Sequence, residues 1–399
     1  MKPDDVCICG AVRTPIGRLG GTIKDIPAEK LSEIVIRELL NRTGVKGEEV
    51  EEVIIGQTKQ SADNPNLARL AALMADLPEE VPAYTVHRQC GSGLQAINSA
   101  VQQIQAGYAD LIIAGGVESM STAPYYLRGA RFGYMVGNAE LLDSNTESQP
   151  CSQPVERYGR LTMGMTAENL AEKYLITRAE QDHFALLSQE RAQRAIENGL
   201  FRDEIVAVPV PQKKGPDLLF ERDEHPRPTT LEALSKLQPA FKEKGTVTAG
   251  NSSGRNDGAA AVVLASARRA RELGIKPLAV IRGLAAAGVS PSFMGIGPVP
   301  ATWKALERAG LALEDIDLFE INEAFAAQLL AVNRELKLDL ANINVNGGAI
   351  ALGHPLGCSG ARIVTTLLYE MIRRNNRFGL ASLCIAGGMG ITTIFERVS

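Results

Sequence analysis

Short apolar runs alternate with helical hydrophobic periods along most of the chain. The runs VEEVIIG (50–56) and DLIIAGG (110–116) have the length of strands and are bounded by charged residues or glycine. Between them a helical spacing ends at Gly107, and its apolar positions are Leu94, Ile97, Val101 and Ile104. Continuous apolar strands between helices favour a parallel or mixed sheet that is covered on both faces. The pattern therefore predicts an α/β fold.

Two blocks of this pattern occur twice, in the same order. Residues 39–57 and 305–323 both contain a helix end, a glycine turn, an acidic link and an apolar strand. The glycine-rich turns at 91–93 and 358–360 each open a helical pattern that leads into an apolar strand. This duplication predicts two mixed-sheet α/β halves related by a pseudo-twofold axis, with the two glycine-rich turns close together at their interface.

The stretch from 120 to 248 interrupts the repeat with turn-rich and polar segments and one amphipathic helical pattern. We expect it to be an inserted lid. The N-terminal half would then span 1–119, completed by about 249–270, and the C-terminal half would span 271–399. The basic lid residues are typical of solvated surface unless a ligand reaches them: Lys213, Lys214, Arg222 and Arg227.

Composition places the chain among ordinary globular proteins. Its 399 residues are 45% hydrophobic and 22% charged, which suits two or three domains. The 42 Lys and Arg residues against 46 Asp and Glu give a net charge of −4, which argues against nucleic acid or an anionic membrane as a partner. No apolar run approaches the roughly 18 residues of a membrane span, and the N-terminus has no basic-then-apolar signal pattern. We expect a cytoplasmic protein.

The six cysteines form no Cys-x-x-Cys pair, so we expect reduced thiols and no structural metal site. Cys90 lies in HRQCGSG, where glycines permit a sharp turn at the start of a helix. Backbone N–H groups at that helix end are expected to stabilise a thiolate. His354, between Gly353 and Pro355, is the best candidate base for such a nucleophile.

Two further candidates lie at the ends of apolar strands, where α/β proteins commonly place their sites. Cys384 precedes a glycine-rich turn whose backbone N–H groups are able to face a ligand oxygen, and Asn322 directly follows the strand DLFEI. The other histidines are weaker candidates. His183 and His225 are expected to be exposed, and His87 is near Cys90 in sequence but not necessarily in side-chain direction.

Five ordered motifs together resemble the thiolases over essentially the full chain. The motifs are QCGSGLQAI at Cys90, TAGNSSGRNDGAAAV (248–262), NEAFA (322–326), NVNGGAIALGHPLGCSGAR (344–362) and CIAGGMG (384–390). The resemblance implies the thiolase fold of two duplicated halves with a lid. It also implies reversible CoA-dependent cleavage of 3-ketoacyl-CoA, or Claisen condensation of acetyl-CoA, by a ping-pong mechanism through an acyl-Cys90 intermediate.

The same resemblance assigns the catalytic roles. Cys90 would be the nucleophile, and His354 would take its proton and help to bind the thioester oxygen. Cys384 would exchange the α-proton of the second acetyl-CoA. Asn322 would hold a water that forms one oxyanion site with His354, and the backbone N–H groups of Cys90 and Ala386 would form the other.

Substrate contacts also follow from the resemblance. Ser253 and the lid would contact the pantetheine arm of coenzyme A, and Arg227 would reach its nucleotide end. Met163 and Phe325 would line the thioester channel, and Met294 would be a wall of the acyl pocket. Coenzyme A, acetyl-CoA and 3-ketoacyl-CoA are then substrates or products, with no tightly bound cofactor, and the assembly is a homodimer or homotetramer.

The sequence departs from the family pattern at several positions. Ala386 stands where glycine is usual and is expected to narrow the pocket, and His87 replaces a common asparagine. Thr162 stands where many short-chain members have histidine, while the pair Cys358-Ser359 resembles the degradative members. If Thr162 faces the channel, we expect 3-ketoacyl-CoA substrates of four to eight carbons to be accepted.

Three alternatives remain open from the sequence. A ketoacyl-acyl-carrier-protein synthase shares the fold, but it lacks the second catalytic cysteine, so Cys384 argues against it. A non-catalytic acyl-CoA-binding or scaffold protein would have a degenerate site, whereas every residue needed for the chemistry is present. A thiol-redox protein would use Cys90 and Cys384 as a pair, which mass measurements under oxidant and reductant would reveal.

Overall fold

The two halves of the chain form matching parts of one ten-stranded mixed sheet in a computed structural model that describes residues 2–398. The order across this sheet is β12-β13-β14-β11-β1-β10-β5-β3-β4, and β2 pairs with β10. The strands are β1 (Val6–Arg13), β2 (Gly17–Arg18), β3 (Glu52–Gly56), β4 (Ala83–Val86), β5 (Leu111–Ser119), β6 (Tyr125–Tyr126), β7 (Leu142–Asp143), β8 (Val208–Val210), β9 (Leu218–Phe220), β10 (Asn256–Ser266), β11 (Ala279–Gly288), β12 (Leu318–Ile321), β13 (Phe378–Ile385) and β14 (Met389–Arg397).

The pairing pattern is the same on both sides of the centre, which confirms the predicted duplication. β1 and β11 meet there antiparallel, with Cys7 opposite Val280. From β1 outward, β10 and β5 pair antiparallel and β3 pairs parallel to β5. From β11 outward, β14 and β13 pair antiparallel and β12 pairs parallel to β13. A pseudo-twofold axis between β1 and β11 therefore relates the halves.

Helices cover both faces of the sheet, as the continuous apolar strands predict. α1 and α2 pack on one face of the first half, and α10 and α11 pack on the second half. α3 and α13 pack together over a core that includes strand residues of both halves. The helices are α1 (Ala28–Thr43), α2 (Leu67–Met74), α3 (Ser92–Gln105), α4 (Ser144–Glu147), α5 (Val155–Tyr158), α6 (Met163–Lys173), α7 (Arg178–Glu197), α8 (Leu231–Ser235), α9 (Ala267–Glu272), α10 (Pro298–Ala309), α11 (Ala326–Leu336), α12 (Ala349–Leu352) and α13 (Leu356–Arg374).

The two glycine-rich turns open α3 and α13, and glycines let the backbones of these helices touch. A Cβ at Gly93 would lie 2.7 Å from the carbonyl oxygen of Gly357, and a Cβ at Gly360 would lie 2.2 Å from the backbone nitrogen of Leu94. Only residues without side chains permit this approach, since backbone atoms cannot rotate away. The predicted proximity of the two turns is thus confirmed, and it brings the start of α3 next to the start of α13.

The segment from 120 to 248 contains the short strand pairs β6–β7 and β8–β9, which lie outside the large sheet, and the helices α4 to α8. The amphipathic stretch forms α6 and α7. The side chain of Thr177 accepts from the backbone of Glu180 and the Glu180 carboxylate accepts from Thr177, which caps the start of α7. Among residues 2–398, none of the helices is both long and apolar enough to cross a membrane.

Candidate active site

Cys90 lies in the turn between β4 and α3, as predicted. Gln89, immediately before it, has a φ of 46°, and Gly91 precedes the first residue of the helix. The left-handed backbone conformation of Gln89 produces the sharp turn from the strand into the helix. The Cys90 side chain is partly exposed and faces a cavity.

The expected stabilisation of a Cys90 thiolate by backbone N–H groups is opposed by burial. Burial raises the pKa of the Cys90 thiol to about 11, because the charged form loses its hydration. The backbone N–H groups of Ala386 and of Cys90 itself point at the sulfur and lower the pKa, but they offset only part of that effect. At neutral pH the nucleophile is therefore a neutral thiol that needs a base.

His354 is buried at the start of the loop that leads into α13. Gly353 has a φ of 101°, and its lack of a side chain leaves room for Asn256, whose Oδ1 accepts from the His354 backbone at 2.9 Å. His354 Nδ1 lies 2.6 Å from Ser359 Oγ, and that hydroxyl donates to the Pro355 carbonyl. Ser359 therefore accepts from Nδ1–H, which leaves Nε2 of His354 as the acceptor nitrogen of the ring.

The imidazole of His354 is neutral at physiological pH. Burial, and to a lesser extent the positive charge of Arg362, lower its pKa to about 3. A neutral imidazole with its proton on Nδ1 is the form that accepts a proton at Nε2. The geometry thus matches the predicted role of a base.

Asn322 follows β12 directly and lies against His354. Its Nδ2 is 3.4 Å from His354 Nε2, and its Oδ1 is buried with no hydrogen-bond partner among the described residues. A buried amide oxygen without a partner is costly unless a polar group meets it. Asn322 therefore presents a free acceptor beside the candidate base.

Cys384 lies near the end of β13 and is almost fully buried. Burial raises its thiol pKa strongly, and the nearby Cys90 raises it further. Ala386 follows in the turn between β13 and β14, and its N–H donates toward Cys90. The structure thus brings the second cysteine and the predicted oxyanion N–H group to the nucleophile.

These residues share one cavity of about 180 Å³. Its wall contains the candidate chemical groups, the predicted substrate contacts and a set of lid residues. The lining residues are Gln89, Cys90, Met120, Asn145, Ser148, Gln149, Ser152, Met163, Gly164, Phe241, Ser252, Ser253, Gly254, Arg255, Met294, Ala324, Phe325, His354, Leu356, Cys384 and Ala386. Asn322 does not line the cavity, but it contacts His354, which does.

The predicted substrate contacts divide into two groups. The cavity wall includes Ser253, Met163, Met294 and Phe325. The two methionines and the phenylalanine make it apolar there. Arg227 does not line it. The side chain of Arg227 is exposed on the lid, and its backbone N–H donates to Gln189 Oε1 at 3.1 Å.

Two sequence expectations need correction. Thr162 does not line the cavity, because its hydroxyl accepts from the Met165 backbone and caps the start of α6. His225 is not freely exposed, because it packs against Gly254, and burial lowers its pKa to about 4. His183 and His87 are exposed, as the former was expected to be.

Several site residues escaped the sequence analysis. Phe241 packs edge-on against Phe325, with ring centroids 5.9 Å apart, and was signalled only as a lone aromatic in a polar stretch. Ser359 lay inside a recognised motif, but its bond to His354 depends on the helical turn of α13.

Within residues 2–398, His, Cys, Asp and Glu side chains form no group of three that suits a metal ion.

Comparison with known proteins agrees with this arrangement. A sequence profile described as "Thiolase, N-terminal domain" matches residues 6–268, and "Thiolase, C-terminal domain" matches residues 275–397. An acetyl-CoA acetyltransferase of Pseudomonas aeruginosa is 54% identical over 394 residues, which cover 98% of this chain and 99% of that protein.

Solved structures show the same similarity in three dimensions. The crystal structure of the Bacillus anthracis acetyl-CoA acetyltransferase aligns with a TM-score of 0.96 at 48% identity and covers 99% of both chains. A human mitochondrial 3-ketoacyl-CoA thiolase in complex with CoA aligns with a TM-score of 0.94 at 46% identity, covering 99% of this chain and 98% of that one.

Proposed function

Because the chain belongs to the thiolase family, we propose that it is an acetyl-CoA C-acyltransferase that works through an acyl-Cys90 intermediate. The reaction is the CoA-dependent cleavage of a 3-ketoacyl-CoA or, in reverse, the condensation of two acetyl-CoA molecules. One observation carries the proposal: Cys90, His354 and Cys384 line the same cavity, with the N–H of Ala386 directed at the Cys90 sulfur.

In the first half-reaction of the condensation direction, the Cys90 sulfur attacks the thioester carbonyl of acetyl-CoA. The thiol proton passes to Nε2 of His354, which Ser359 holds in the required tautomer. The carbon–sulfur bond to coenzyme A then breaks, and the departing CoA thiolate takes the proton from His354. The products are acetyl-Cys90 and free CoA.

In the second half-reaction, Cys384, as its thiolate, removes a proton from the α-carbon of a second acetyl-CoA. The resulting carbanion attacks the carbonyl of acetyl-Cys90, a carbon–carbon bond forms, and Cys90 leaves as a thiolate that takes the proton from Cys384. Two sulfurs are needed, because an acylated cysteine cannot act as a base at the same time. Thiolysis follows the same steps in reverse.

Oxyanion stabilisation makes both steps feasible. A thiolate is a weak base for a thioester α-carbon, and one positioned donor to the developing oxyanion is typically worth about 3–4 kcal/mol. The backbone N–H groups of Cys90 and Ala386 would serve the carbonyl bound to Cys90. When its Nε2 carries a proton, His354 would serve the thioester oxygen of the second substrate, together with a water held by the free Oδ1 of Asn322.

Coenzyme A enters as a substrate or product, and we propose no tightly bound cofactor. Ser253 would contact its pantetheine arm and Arg227 its nucleotide end, while Met163, Met294 and Phe325 would enclose the thioester. The solvent-facing position of Arg227 on the lid suits a contact with the nucleotide.

The organisation of the chain is part of the same proposal. The N-terminal half would comprise 1–119 with about 249–270, the lid 120–248 and the C-terminal half 271–399, a division that the place of β10 between β1 and β5 supports. We further propose a homodimer or homotetramer in the cytoplasm. Similarity to acetyl-CoA acetyltransferases favours the acyltransferase over a ketoacyl-acyl-carrier-protein synthase, a binding protein or a redox protein.

Thiolysis of acetoacetyl-CoA by CoA, followed as acetyl-CoA release, tests this function. The wild-type protein should produce two acetyl-CoA per acetoacetyl-CoA consumed, and Cys90→Ala should abolish the reaction. A control variant, Cys151→Ala, removes an exposed thiol outside the cavity wall and should remain active. Equal activity of the Cys90→Ala and Cys151→Ala proteins would refute the proposed role of Cys90.

A further inference from the structure

Lys59 is a buried cation behind the wall of the active-site cavity. It follows β3, and its side chain is only 6% exposed. The ammonium group donates to the Ser144 carbonyl at 3.2 Å and to Ser148 Oγ at 2.6 Å. A buried lysine requires such partners, because its charge is costly away from water. Both partners belong to the lid, and Ser148 lines the cavity.

A chain of hydrogen bonds leads from Lys59 to the nucleophile turn. Ser152 Oγ donates to the Ser148 carbonyl at 2.7 Å, and Gln89 Nε2 donates to Ser152 Oγ at 3.0 Å. Gln89 is the left-handed residue directly before Cys90. Lys59 therefore fastens the lid segment that in turn supports the turn on which the nucleophile sits.

The other side of Lys59 is fastened to the loop of the candidate base. The backbone N–H of Lys59 donates to Glu118 Oε1 at 2.9 Å, and the N–H of Gly357 donates to Glu118 Oε2 at 2.9 Å. Thr58 also donates to Glu118 through its backbone and its hydroxyl. One buried carboxylate thus joins the Lys59 loop to the first turn of α13, which begins two residues after His354.

We propose that Lys59 is a positioning residue of the acyl-transfer site, which tethers the lid wall beside Cys90 and whose positive charge stabilises the Cys90 sulfur whenever that sulfur is ionised. The role rests on the proposed function. It matters most in the second half-reaction, where the acylated sulfur departs as a thiolate. Lys59 touches no reacting atom and acts through Ser148 and through its electric field.

Few charged groups surround Lys59 and Cys90. Lys59 interacts electrostatically with Glu118, Cys90, Asp143 and Arg255. Burial lowers the pKa of the Lys59 ammonium, while Glu118, Cys90 and Asp143 raise it. Among the effects on Cys90, Lys59 lowers the thiol pKa and Glu118 raises it. His354 and Cys384 complete the titratable groups at the sulfur, and burial lowers the pKa of His354 and raises that of Cys384.

Alkylation of Cys90 by iodoacetamide measures this electrostatic effect, because only the thiolate reacts. The full-length protein is treated at a fixed pH between about 8 and 9, below the thiol pKa, and modification of the Cys90 peptide is followed by mass spectrometry. Lys59→Gln keeps N–H donors for Ser144 and Ser148 but removes the charge. We expect the rate to fall roughly 3- to 30-fold, the range for removing one unit charge that interacts with the sulfur.

Three further variants separate charge from structure. Lys59→Arg keeps the charge and should alkylate within about twofold of the wild-type rate. Lys276→Gln removes an exposed lysine from the segment before β11 and should have no effect. Lys59→Met replaces Lys59→Gln if the latter does not fold, as judged by circular dichroism.

A rate in folded Lys59→Gln or Lys59→Met within about twofold of wild type would overturn the proposal. An equally large fall in the alkylation rate of Lys59→Arg would also overturn it, because the shape of the side chain rather than its charge would then be responsible. Iodoacetamide needs no coenzyme A. Slow alkylation of Lys59→Gln, together with a wild-type protein whose Cys90 takes no acetyl group from acetyl-CoA, would therefore refute the proposed function and leave the electrostatic effect intact.

Discussion

Ser359 Oγ accepts a hydrogen bond of 2.6 Å from Nδ1 of His354, and this contact sets the protonation pattern of the imidazole. Removing the hydroxyl leaves Nδ1 without that partner. We predict that Ser359→Ala lowers kcat about tenfold with little change in KM, the cost of losing about 1.4 kcal/mol of a positioned hydrogen bond. Thiolysis kinetics measure it, with buried Ser32→Ala as a control far from the cavity wall. A raised KM at unchanged kcat would assign Ser359 to substrate binding.

The two active-site cysteines should be separable by experiment. Cys384→Ala is expected to accept an acetyl group on Cys90 but to lose α-proton exchange and condensation by about 10²- to 10⁴-fold, the usual range for an acid/base group. Exchange of deuterium from solvent into acetyl-CoA and acetylation of Cys90 are measured on the same preparation. Asn322→Ala should lose less exchange and condensation activity than Cys384→Ala, because it removes a group that orients a water rather than one that reacts. Equal loss of acetylation and exchange in Cys384→Ala would mean that Cys384 is structural.

The pH dependence of acylation should reveal the base. The Cys90 thiol, with a pKa of about 11, is protonated at neutral pH, and its ionised fraction grows about tenfold per pH unit below that value. His354→Ala should therefore acylate slowly near pH 7, and its rate should rise with pH much more steeply than that of the wild type. Rapid-quench acylation by acetyl-CoA between about pH 7 and 9.5 checks this. Parallel profiles for both proteins would rule out His354 as the base.

The contact between α3 and α13 should tolerate no added side chain. Gly360→Ala would place a Cβ 2.2 Å from the Leu94 backbone nitrogen, so the helices must separate. We predict destabilisation of about 1–3 kcal/mol, typical of overpacking. Gly288→Ala is a matched control, because its Cβ would come no nearer than 3.9 Å to the Gly388 carbonyl oxygen. Thermal unfolding compares the two. An unchanged transition in Gly360→Ala would show that the helices do not touch as described.

The acyl pocket should accept more than the shortest substrate. We predict that acetoacetyl-CoA is cleaved and that substrates of up to eight carbons are also used, since each buried methylene contributes about 0.8 kcal/mol. Thr162 caps a helix, so Met294, which lines the cavity, is the better candidate for setting the limit. Met294→Ala should favour the eight-carbon substrate, and Met135→Ala on the exposed lid should not. A preference of more than about a hundredfold for acetoacetyl-CoA over the six-carbon substrate would contradict the prediction.

Most of the fold and the chemical groups of the site could be predicted from local sequence patterns. The apolar runs and glycine turns predicted the strands, the duplication and the contact between the starts of α3 and α13 at Gly93 and Gly360. They also placed Cys90 at a strand-to-helix turn. These features depend on neighbours in sequence, where period and turn chemistry act directly.

The remaining features depend on tertiary contacts that no local pattern encodes. The lid has no single period, so nothing in the sequence linked Lys59 to Ser148 across the cavity wall. The sequence indicated the N–H groups that lower the Cys90 pKa, because they lie at a local helix end, but not the burial that raises it, because burial arises from the whole fold. The capping role of Thr162 likewise could not be predicted, because it depends on where α6 begins and in which direction it runs.

Acetylation of the protein by acetyl-CoA tests the central claim most directly. After brief incubation and acid quenching, intact and peptide mass spectrometry should find one acetyl group per subunit, on Cys90, and coenzyme A should remove it. Cys90→Ser should lose that thioester label. Acetyl label that persists in Cys90→Ser on Cys151 or Cys358, at the wild-type level, would contradict the acyl-Cys90 mechanism.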